Sequence, residues 1–238
     1  MDIYSRDFTV TLSDVGENNC ITNKGILRIF QEAACIHSSL VGFGLNDAKN
    51  TGLFWFLLNW KLQVFNRPIW NSSLKVSTWC TGHTHTCFYR DFKMCDDSGN
   101  VVAVASSKWI LYDFIKSSIV KIDKGIEAKY YNDIDDHVFD KPMVEKLLEP
   151  SDSEFISEYT VCKRDIDSNH HVNNLNYLDF AYDILPNDFD FKNIEIMYKH
   201  EVKFGETIDL FYAEKNNTAF VTMKNHLDKT LHCIIKLY

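Results

Sequence analysis

The densest group of polar side chains runs from Arg164 to Asn174 and reads Arg-Asp-Ile-Asp-Ser-Asn-His-His-Val-Asn-Asn. Helix capping needs one of these residues and does not account for the rest. A histidine moves protons, a carboxylate holds or charges that histidine, and an amide orients a carbonyl or a water. Backbone N–H groups at a helix start also favour a negative ligand. The cluster is therefore a candidate hydrolytic site.

Two helical patterns stand out among strands, and the polar cluster lies at the start of the second. Apolar residues recur at helical spacing over residues 24–41 and again over residues 169–185. Asn23 is the candidate N-cap of the first helix, and Pro186 follows the second. His170 and His171 are neighbours, so on a helix they point about 100° apart and at most one faces the site.

Strand patterns surround both helices. One strand precedes each helix, over residues 4–12 and 155–163. The strands predicted after the helices cover residues 54–65, 74–82, 86–95 and 101–113, then 194–204, 207–214, 219–225 and 231–238. The order of strand, helix and four strands thus occurs twice, which indicates an internal repeat. Each copy predicts an antiparallel sheet wrapped around one helix, an α+β architecture.

The repeat divides the chain into a first domain over residues 1–122, a linker over 123–152 and a second domain over 153–238. The linker is rich in Asp and Glu, which indicates a solvated surface. A short helix is expected near residues 144–148.

Composition narrows the functional classes. The chain of 238 residues is 45% hydrophobic and carries a net charge of −8, without a basic stripe. This balance argues against nucleic-acid partners and against binding to an anionic membrane. The apolar run from Leu53 to Leu58 is too short to span a membrane, and residues 1–10 lack a signal-peptide pattern. We expect a cytoplasmic protein.

Neither cysteines nor histidines show metal-ligand spacing. The 7 cysteines are irregularly spaced without a CxxC pair, which predicts reduced thiols. His83 and His85 can share a strand face, but no HExxH motif accompanies the 9 histidines. We expect no metal and no cofactor.

The segment Asp165-Ile166-Asp167-Ser168-Asn169-His170-His171-Val172-Asn173-Asn174-Leu175-Asn176-Tyr177 resembles the D-x-N-x-H-V-N-N-x-x-Y signature of the acyl-ACP thioesterases. Further likenesses follow in the same order as in that family, so the resemblance covers most of the chain. They are Gln31-Glu32-Ala33-Ala34 with His37 and Gly42, Arg67-Pro68-Ile69-Trp70, Ser77-Thr78-Trp79, Tyr89-Arg90-Asp91-Phe92, Ala105-Ser106-Ser107-Lys108-Trp109 and Tyr198-Lys199-His200-Glu201-Val202.

The resemblance implies two tandem hotdog domains and hydrolysis of acyl chains from the 4′-phosphopantetheine arm of acyl carrier protein. Residue by residue, it implies the catalytic set Asp167, Asn169, His171 and Glu201. Val202 stands where many plant members carry Cys, so a Cys-His-Asn mechanism does not fit this chain. His171 would relay a proton while Asp167 or Glu201 activates water. Direct attack by Asp167, giving an acyl anhydride, is a second route.

The first repeat has no histidine at its matching junction, Ser13-Asp14-Val15-Gly16-Glu17-Asn18-Asn19. The resemblance therefore assigns chemistry to the second domain and acyl-chain selection to the first. Aromatic residues of the first domain are candidates for binding the acyl chain, although core packing is the more common role for each of them taken singly. These candidates are Trp55, Phe56, Trp60 and Trp79.

Acyl carrier protein is acidic, so docking calls for basic side chains beside the motif. The candidates are Lys163, Arg164, Lys199 and Lys203. Two alternatives stay open: an acyl-CoA thioesterase on the same fold, and a non-catalytic acyl-binding hotdog protein. Fused hotdogs resemble one hotdog dimer, so both a monomer and a homodimer are compatible with the sequence.

Overall fold

The computed structural model describes residues 3–130, 136–140, 146–186, 189 and 191–238. Its chain forms two compact units, residues 1–144 (unit 1) and residues 145–238 (unit 2). Within the described residues, no helix combines the length and apolar character that a membrane crossing requires.

Among its described residues, unit 1 contains six strands and three α-helices. Its strands are β1 (Tyr4–Thr9), β2 (Leu53–Val64), β3 (Ser73–His83), β4 (Cys87–Cys95), β5 (Val101–Asp113) and β6 (Ser118–Ile119). Its helices are α1 (Asn23–Leu40), α2 (Leu45–Thr51) and α3 (Lys124–Tyr130). The strands lie in the order β1-β3-β4-β5-β2, all antiparallel, with β6 paired to β5.

Unit 2 contains five strands and one helix among its described residues. Its strands are β7 (Glu154–Thr160), β8 (Ile194–Tyr198), β9 (Thr207–Lys215), β10 (Thr218–Asn225) and β11 (Leu231–Leu237). Its helix is α4 (Asn176–Tyr182). The strands lie in the order β7-β9-β10-β11-β8, again antiparallel. Matched in chain order, both units have the same topology, which confirms the internal repeat.

The second predicted helix is much shorter in the structure. Helical periodicity predicts residues 169–185, but α4 covers only Asn176–Tyr182. The residues before it form a structured loop with an antiparallel bridge between Ile166 and Val172. Asp and Asn side chains bond backbone N–H groups within this loop, which gives the backbone an alternative to the helix. The prediction that the polar cluster opens a helix was therefore wrong.

The region between the repeats also differs from expectation. Helix α3 falls inside the predicted linker and buries Ile126 and Tyr130 in unit 1. Residues 146–148 of the short helix expected near 144–148 are not helical, while 144 and 145 lie outside the described residues. Leu147 instead packs with Met197 and Ile234 in unit 2. The strand predicted over residues 194–204 ends at Tyr198.

Helix α1 is the central element of unit 1, and its bounds agree with the predicted 24–41 to within one residue at each end. Thr22, rather than Asn23, caps it by accepting from the backbone N–H of Gly25 at 3.0 Å. A Cβ atom on Gly25 would lie 2.5 Å from the carbonyl oxygen of Asp14, so only glycine allows this approach of loop and helix. Phe30 is fully buried and packs on Phe92 of β4, with ring centroids 5.1 Å apart.

A buried arginine lies between α1 and the sheet. Arg90 is 4% exposed, and its Nη1 donates to Nδ1 of His37 at 2.9 Å and to Oγ1 of Thr78 at 3.1 Å. Because a guanidinium only donates, Nδ1 accepts and a neutral His37 carries its proton on Nε2. Burial, assisted by the Arg90 charge, lowers the pKa of His37 to about 3.

Replacing Phe30 with alanine should remove about 3–5 kcal/mol from the free energy of unfolding, through lost burial and a residual cavity. Leu40, which is 58% exposed on the same helix, is the matched control, and Leu40→Ala should change stability by less than about 0.5 kcal/mol. Urea titrations followed by circular dichroism measure both. Equal losses would contradict the described core.

Acidification should destabilise unit 1 through His37. The unfolded chain binds a proton at this histidine near pH 6.5 and the folded chain only near pH 3, so the contribution is complete above pH 6.5 and is lost as the pH falls. Between pH 6.5 and 5 the loss is about 2 kcal/mol. Urea unfolding of wild type and His37→Gln across this range measures it. A wild-type slope that persists in His37→Gln would assign the effect to other groups.

Candidate active site

The predicted catalytic residues of unit 2 lie on one loop and on the segment paired with it. After a 3₁₀ turn at Lys163–Asp165, the chain turns back, so that the N–H of Asp167 donates to the carbonyl of His171 at 2.8 Å. The N–H of Val172 then donates to the carbonyl of Val202 at 2.8 Å. This pairing brings Glu201, thirty positions along the chain from His171, to the same loop.

His171 and Glu201 form the closest pair of titratable groups in the predicted set. Nε2 of His171 lies 3.9 Å from Oε1 of Glu201. The imidazole is 20% exposed and the carboxylate 59% exposed, so both remain accessible to a ligand. The separation exceeds a hydrogen bond, yet catalytic hydrogen bonds often tighten only when substrate is present. The arrangement suits a histidine that exchanges protons and a carboxylate that stabilises its charged form.

Asp167 and Asn169 lie on the turn that precedes His171. Oδ1 of Asp167 accepts the N–H of Asn169 at 2.7 Å and, more distantly, the N–H of His171 at 3.4 Å. These bonds fix the carboxylate on the loop and leave its second oxygen for other partners. The side-chain amide of Asn169 bonds to no residue in the described part of the chain. It is therefore available to a substrate carbonyl or a water.

Unit 1 contains a second loop of the same construction, here called the matching loop (residues 11–23). In it the N–H of Gly16 donates to the carbonyl of Cys20 at 3.0 Å, and the N–H of Ile21 donates to the carbonyl of Pro68 at 2.8 Å. Asn19 and His170, at equivalent positions, both have positive φ, 57° and 65°. Both loops include a 3₁₀ turn of three residues near their start, Leu12–Asp14 in unit 1 and Lys163–Asp165 in unit 2.

The equivalence shows which residue of unit 1 stands at each predicted catalytic position. Gly16 replaces Asp167, Asn18 replaces Asn169, Cys20 replaces His171, and Arg67 replaces Glu201. Arg67 donates to the carbonyl of Ile21 at 3.0 Å and to Oδ1 of Asn23 at 2.6 Å, which anchors the loop. The matching loop therefore keeps the backbone and lacks the proton-transfer groups.

The side chains around the two loops differ in charge as well. Lys163, Lys199 and Lys203 are exposed beside the loop of unit 2. Their equivalents in unit 1 are the apolar residues Leu12, Phe65 and Ile69, which are 75%, 52% and 60% exposed. The fourth predicted basic residue, Arg164, has a side chain that is 80% exposed. At these three equivalent positions, unit 2 therefore has exposed lysines where unit 1 has exposed apolar side chains.

The four aromatic residues predicted to bind a ligand occupy both faces of the unit 1 sheet. Neighbours on a strand point to opposite faces, and Trp55 and Phe56 are neighbours on β2. The ring of Trp55 contacts those of Phe43, Phe88 and Tyr130, whereas Phe56 contacts Tyr112 and Phe114. Trp60 and Trp79 are buried, at 0% and 1% exposure. Of these four residues, only Trp55 is both half-buried and on the face of β2 that contacts Tyr130 of α3.

The cysteines carry no sign of nucleophilic chemistry. All 7 are free thiols, and burial raises the pKa of Cys233 well above its usual value. Cys162 is exposed on the loop, but its Sγ faces the carbonyl of Thr160 at 3.5 Å. Val202 is fully buried.

One group in the described part of the chain has the composition of a metal site. Donor atoms of Glu158, Asp209 and His226 lie within 4.8 Å of one another. Nζ of Lys229 already lies 2.5 Å from Oδ2 of Asp209. Burial opposes ionisation of Asp209, but the hydrogen bonds from Lys229 and His226 lower its pKa. Ion pairing thus accounts for this group without a metal.

Sequence reasoning missed the residues that hold the loop in place. Asp165 is 6% exposed, and its Oδ2 accepts the N–H of Cys162 at 2.7 Å and the hydroxyl of Tyr159 at 2.8 Å. In unit 1, Oδ2 of Asp14 accepts the N–H of Thr11 at 2.9 Å. The signal was a capping pattern, in which an aspartate follows three residues after Thr11 and again after Cys162.

Comparison with known protein families matches both units. The acyl-ACP thioesterase N-terminal domain matches residues 1–130, and the acyl-ACP thioesterase C-terminal domain matches residues 148–234. Among curated proteins, the chain is 23% identical over 232 residues to oleoyl-acyl carrier protein thioesterase 1 of Arabidopsis thaliana, covering 87% of this chain and 62% of the relative. It is 24% identical over 228 residues to the Coriandrum sativum oleoyl-acyl carrier protein thioesterase, covering 89% and 59%. The chain thus spans about three-fifths of the length of these relatives.

Solved structures with the same fold span nearly the whole chain. An acyl-ACP thioesterase from Bacteroides thetaiotaomicron superposes with a TM-score of 0.86 at 22% identity, covering 99% of this chain and 96% of that one. The 12:0-ACP thioesterase from Umbellularia californica superposes with a TM-score of 0.81 at 17% identity, with the same coverage. These likenesses confirm the predicted α+β, hotdog-type fold. With both family domains matched in order, the chain belongs to the acyl-ACP thioesterase family.

Proposed function

We propose that this protein hydrolyses acyl-[acyl carrier protein] and releases a free fatty acid, which ends chain elongation. The observation that carries the proposal is the loop of unit 2, which holds Asp167, Asn169 and His171 and is paired beside Glu201. Unit 1 has the same loop with an asparagine, Asn18, but without the aspartate, the histidine and the glutamate, so loop structure alone does not require these three groups. Family membership supplies the substrate class.

The reaction proceeds by attack of water on the thioester carbonyl. His171 accepts a proton from the water, and Glu201 stabilises the imidazolium. The Asn169 amide donates to the carbonyl oxygen as negative charge develops there. The C–S bond then breaks, and His171 returns the proton to the departing thiolate of the pantetheine arm. Atoms balance as thioester plus water to carboxylic acid plus thiol.

Asp167 has two possible roles in this scheme. Oδ1 is occupied by backbone N–H groups, while the second oxygen can orient the water. The same oxygen can instead attack the carbonyl carbon and form an acyl anhydride that water then cleaves. Single turnover in H₂¹⁸O followed by mass spectrometry tests the anhydride route, because ¹⁸O enters Asp167 only when water attacks the Asp167 carbonyl carbon of such an anhydride.

The basic residues Lys163, Arg164, Lys199 and Lys203 are the proposed docking surface for acyl carrier protein. Acyl carrier protein is acidic, and complementary charge steers association. The loop of unit 2 has these lysines, whereas the matching loop has exposed apolar residues at the same positions. We also propose that unit 1 selects the acyl chain, that the protein works as a monomer or homodimer, and that it acts in the cytoplasm.

His171→Ala should lower kcat for acyl-ACP by about 10²–10⁴-fold, because proton transfer to a positioned base contributes that much. Cys20→Ala, at the equivalent position of unit 1, is the matched control and should keep wild-type turnover. Free-thiol release from C8 to C18 acyl-ACPs and acyl-CoAs measures both. Faster turnover of acyl-CoA than of acyl-ACP would indicate that the protein is an acyl-CoA thioesterase. Turnover of His171→Ala within threefold of wild type would remove His171 from the mechanism.

Charge reversal at Lys163 or Lys199 should raise KM for acyl-ACP about three- to tenfold and leave kcat unchanged, because docking precedes chemistry. Lys49→Glu applies the same charge change to an exposed residue of α2 in unit 1 and is the control. Steady-state kinetics at several salt concentrations provide the measurement, since salt screens exposed charges. Equal KM values for all variants would reject this docking surface.

Trp55→Leu should shift the preferred acyl chain toward longer products, because it removes an indole from the α3-facing surface of β2. Phe56→Leu changes the neighbouring residue, which points to the opposite face, and should leave the profile unchanged. Gas chromatography of the released fatty acids compares the variants. Identical profiles for Trp55→Leu and wild type would contradict chain selection at this position.

A further inference from the structure

Asp165 holds the first turn of the loop through its side chain. Its carboxylate is buried, and Oδ2 accepts two donors at once, the Cys162 N–H at 2.7 Å and the Tyr159 hydroxyl at 2.8 Å. The other oxygen lies 3.9 Å from Nε of Arg164. Burial, together with the hydrogen bond to Asp165, raises the pKa of Tyr159 to about 12. The phenol therefore remains a donor throughout the physiological pH range.

The same residue holds the far end of the loop through its backbone. The carbonyl of Asp165 accepts the N–H of Asn173 at 2.8 Å and the side-chain amide of Asn176 at 3.1 Å. Hydrogen bonds to Asp165 thus hold both ends of the segment of residues 166–172, which includes Asp167, Asn169 and His171. The backbone hydrogen bond from the N–H of Val172 to the carbonyl of Val202 attaches this loop to the segment that carries Glu201.

Unit 1 has the same hydrogen bonds between an aspartate and both ends of its loop, although it lacks the histidine and the glutamate. The carbonyl of Asp14 accepts the N–H of Thr22 at 2.9 Å, and its carboxylate caps Thr11 in the same way. Two hydrogen bonds from Arg28, at 2.6 and 2.8 Å, complete the site. In unit 2, Tyr159 supplies the additional donor. The two aspartates thus perform one structural task, but only Asp165 performs it beside a histidine and a carboxylate.

We propose that Asp165, with Tyr159 as its donor, is a positioning residue that sets the placement of His171 against Glu201. This inference rests on the proposed function. Asp165 reaches the reacting groups only through the backbone, so its loss should affect the chemical step and leave substrate binding intact. Its carboxylate is used because a charged acceptor binds two donors more strongly than a neutral amide does.

The test compares Asp165→Asn and Tyr159→Phe with Asp14→Asn, the matched variant of unit 1, in the full chain. Acyl-ACP kinetics give kcat and KM separately, and thermal unfolding gives Tm. Asp165→Asn should lower kcat about tenfold, and Tyr159→Phe about threefold, with KM within twofold of wild type. Asp14→Asn should lower Tm at least as much as Asp165→Asn and leave kcat unchanged.

The outcomes separate the two proposals. A wild type without thioesterase activity rejects the proposed function and this inference with it. An active wild type whose kcat survives both Asp165→Asn and Tyr159→Phe rejects the positioning role alone. A kcat loss of the same size in Asp14→Asn also rejects it, because the loss would then follow general destabilisation. Tyr159→Phe keeps the test valid if Asp165→Asn fails to fold.

Discussion

Each unit depends on the hydrogen bonds of one buried aspartate. Its carboxylate caps the start of a loop, and its backbone carbonyl accepts a hydrogen bond from the end of the same loop. Asp14 does this in unit 1 and Asp165 in unit 2. Each aspartate is buried, so its side chain needs these donors, because a buried polar group without hydrogen-bond partners is costly. Once these bonds are made, the loop has a fixed path and presents a fixed set of side-chain positions. Residues at those positions can then change without altering the backbone.

The two loops illustrate this separation of scaffold from chemistry. Positions occupied by Asp167, His171 and Glu201 in unit 2 hold Gly16, Cys20 and Arg67 in unit 1. A carboxylate has been exchanged for a cation, and a proton carrier for a thiol, within the same hydrogen-bond pattern. The surrounding charge changes in parallel, from lysines to exposed apolar residues. The proposed catalytic residues and the proposed docking residues therefore occur together in one copy of a duplicated element.

The sequence predicted the elements whose formation depends on apolar periodicity. Helix α1 and most strands agree with their predicted bounds within two or three residues, since each buries one regular face. The helix predicted over 169–185 failed at its start because apolar spacing continues through a loop held by Asp165. Helix α3 was missed because its residues lie in a charged segment, where only Ile126 and Tyr130 are buried.

For the site, the sequence predicted the candidate catalytic residues and missed the residues that support them. Histidine, carboxylate and amide side chains are recognisable as candidates for hydrolysis from their chemistry. The family motif then indicated which of them form the predicted catalytic set. Asp165 belongs to the same segment, yet its role depends on hydrogen bonds to Tyr159 and to Asn176 that no spacing rule supplies. For a similar reason, the sequence did not distinguish aromatic residues that could contact a ligand from core residues. Only packing shows which face of β2 each side chain occupies.

In this protein the loop of unit 2 should fold independently of the groups that act on substrate. This independence is tested most directly by giving unit 2 the residues of unit 1, in the triple variant Asp167→Gly, His171→Cys and Glu201→Arg. We expect this variant to fold with a Tm close to that of wild type and to show no detectable hydrolysis of acyl-ACP. Retained hydrolysis, or a variant that no longer folds, would contradict it.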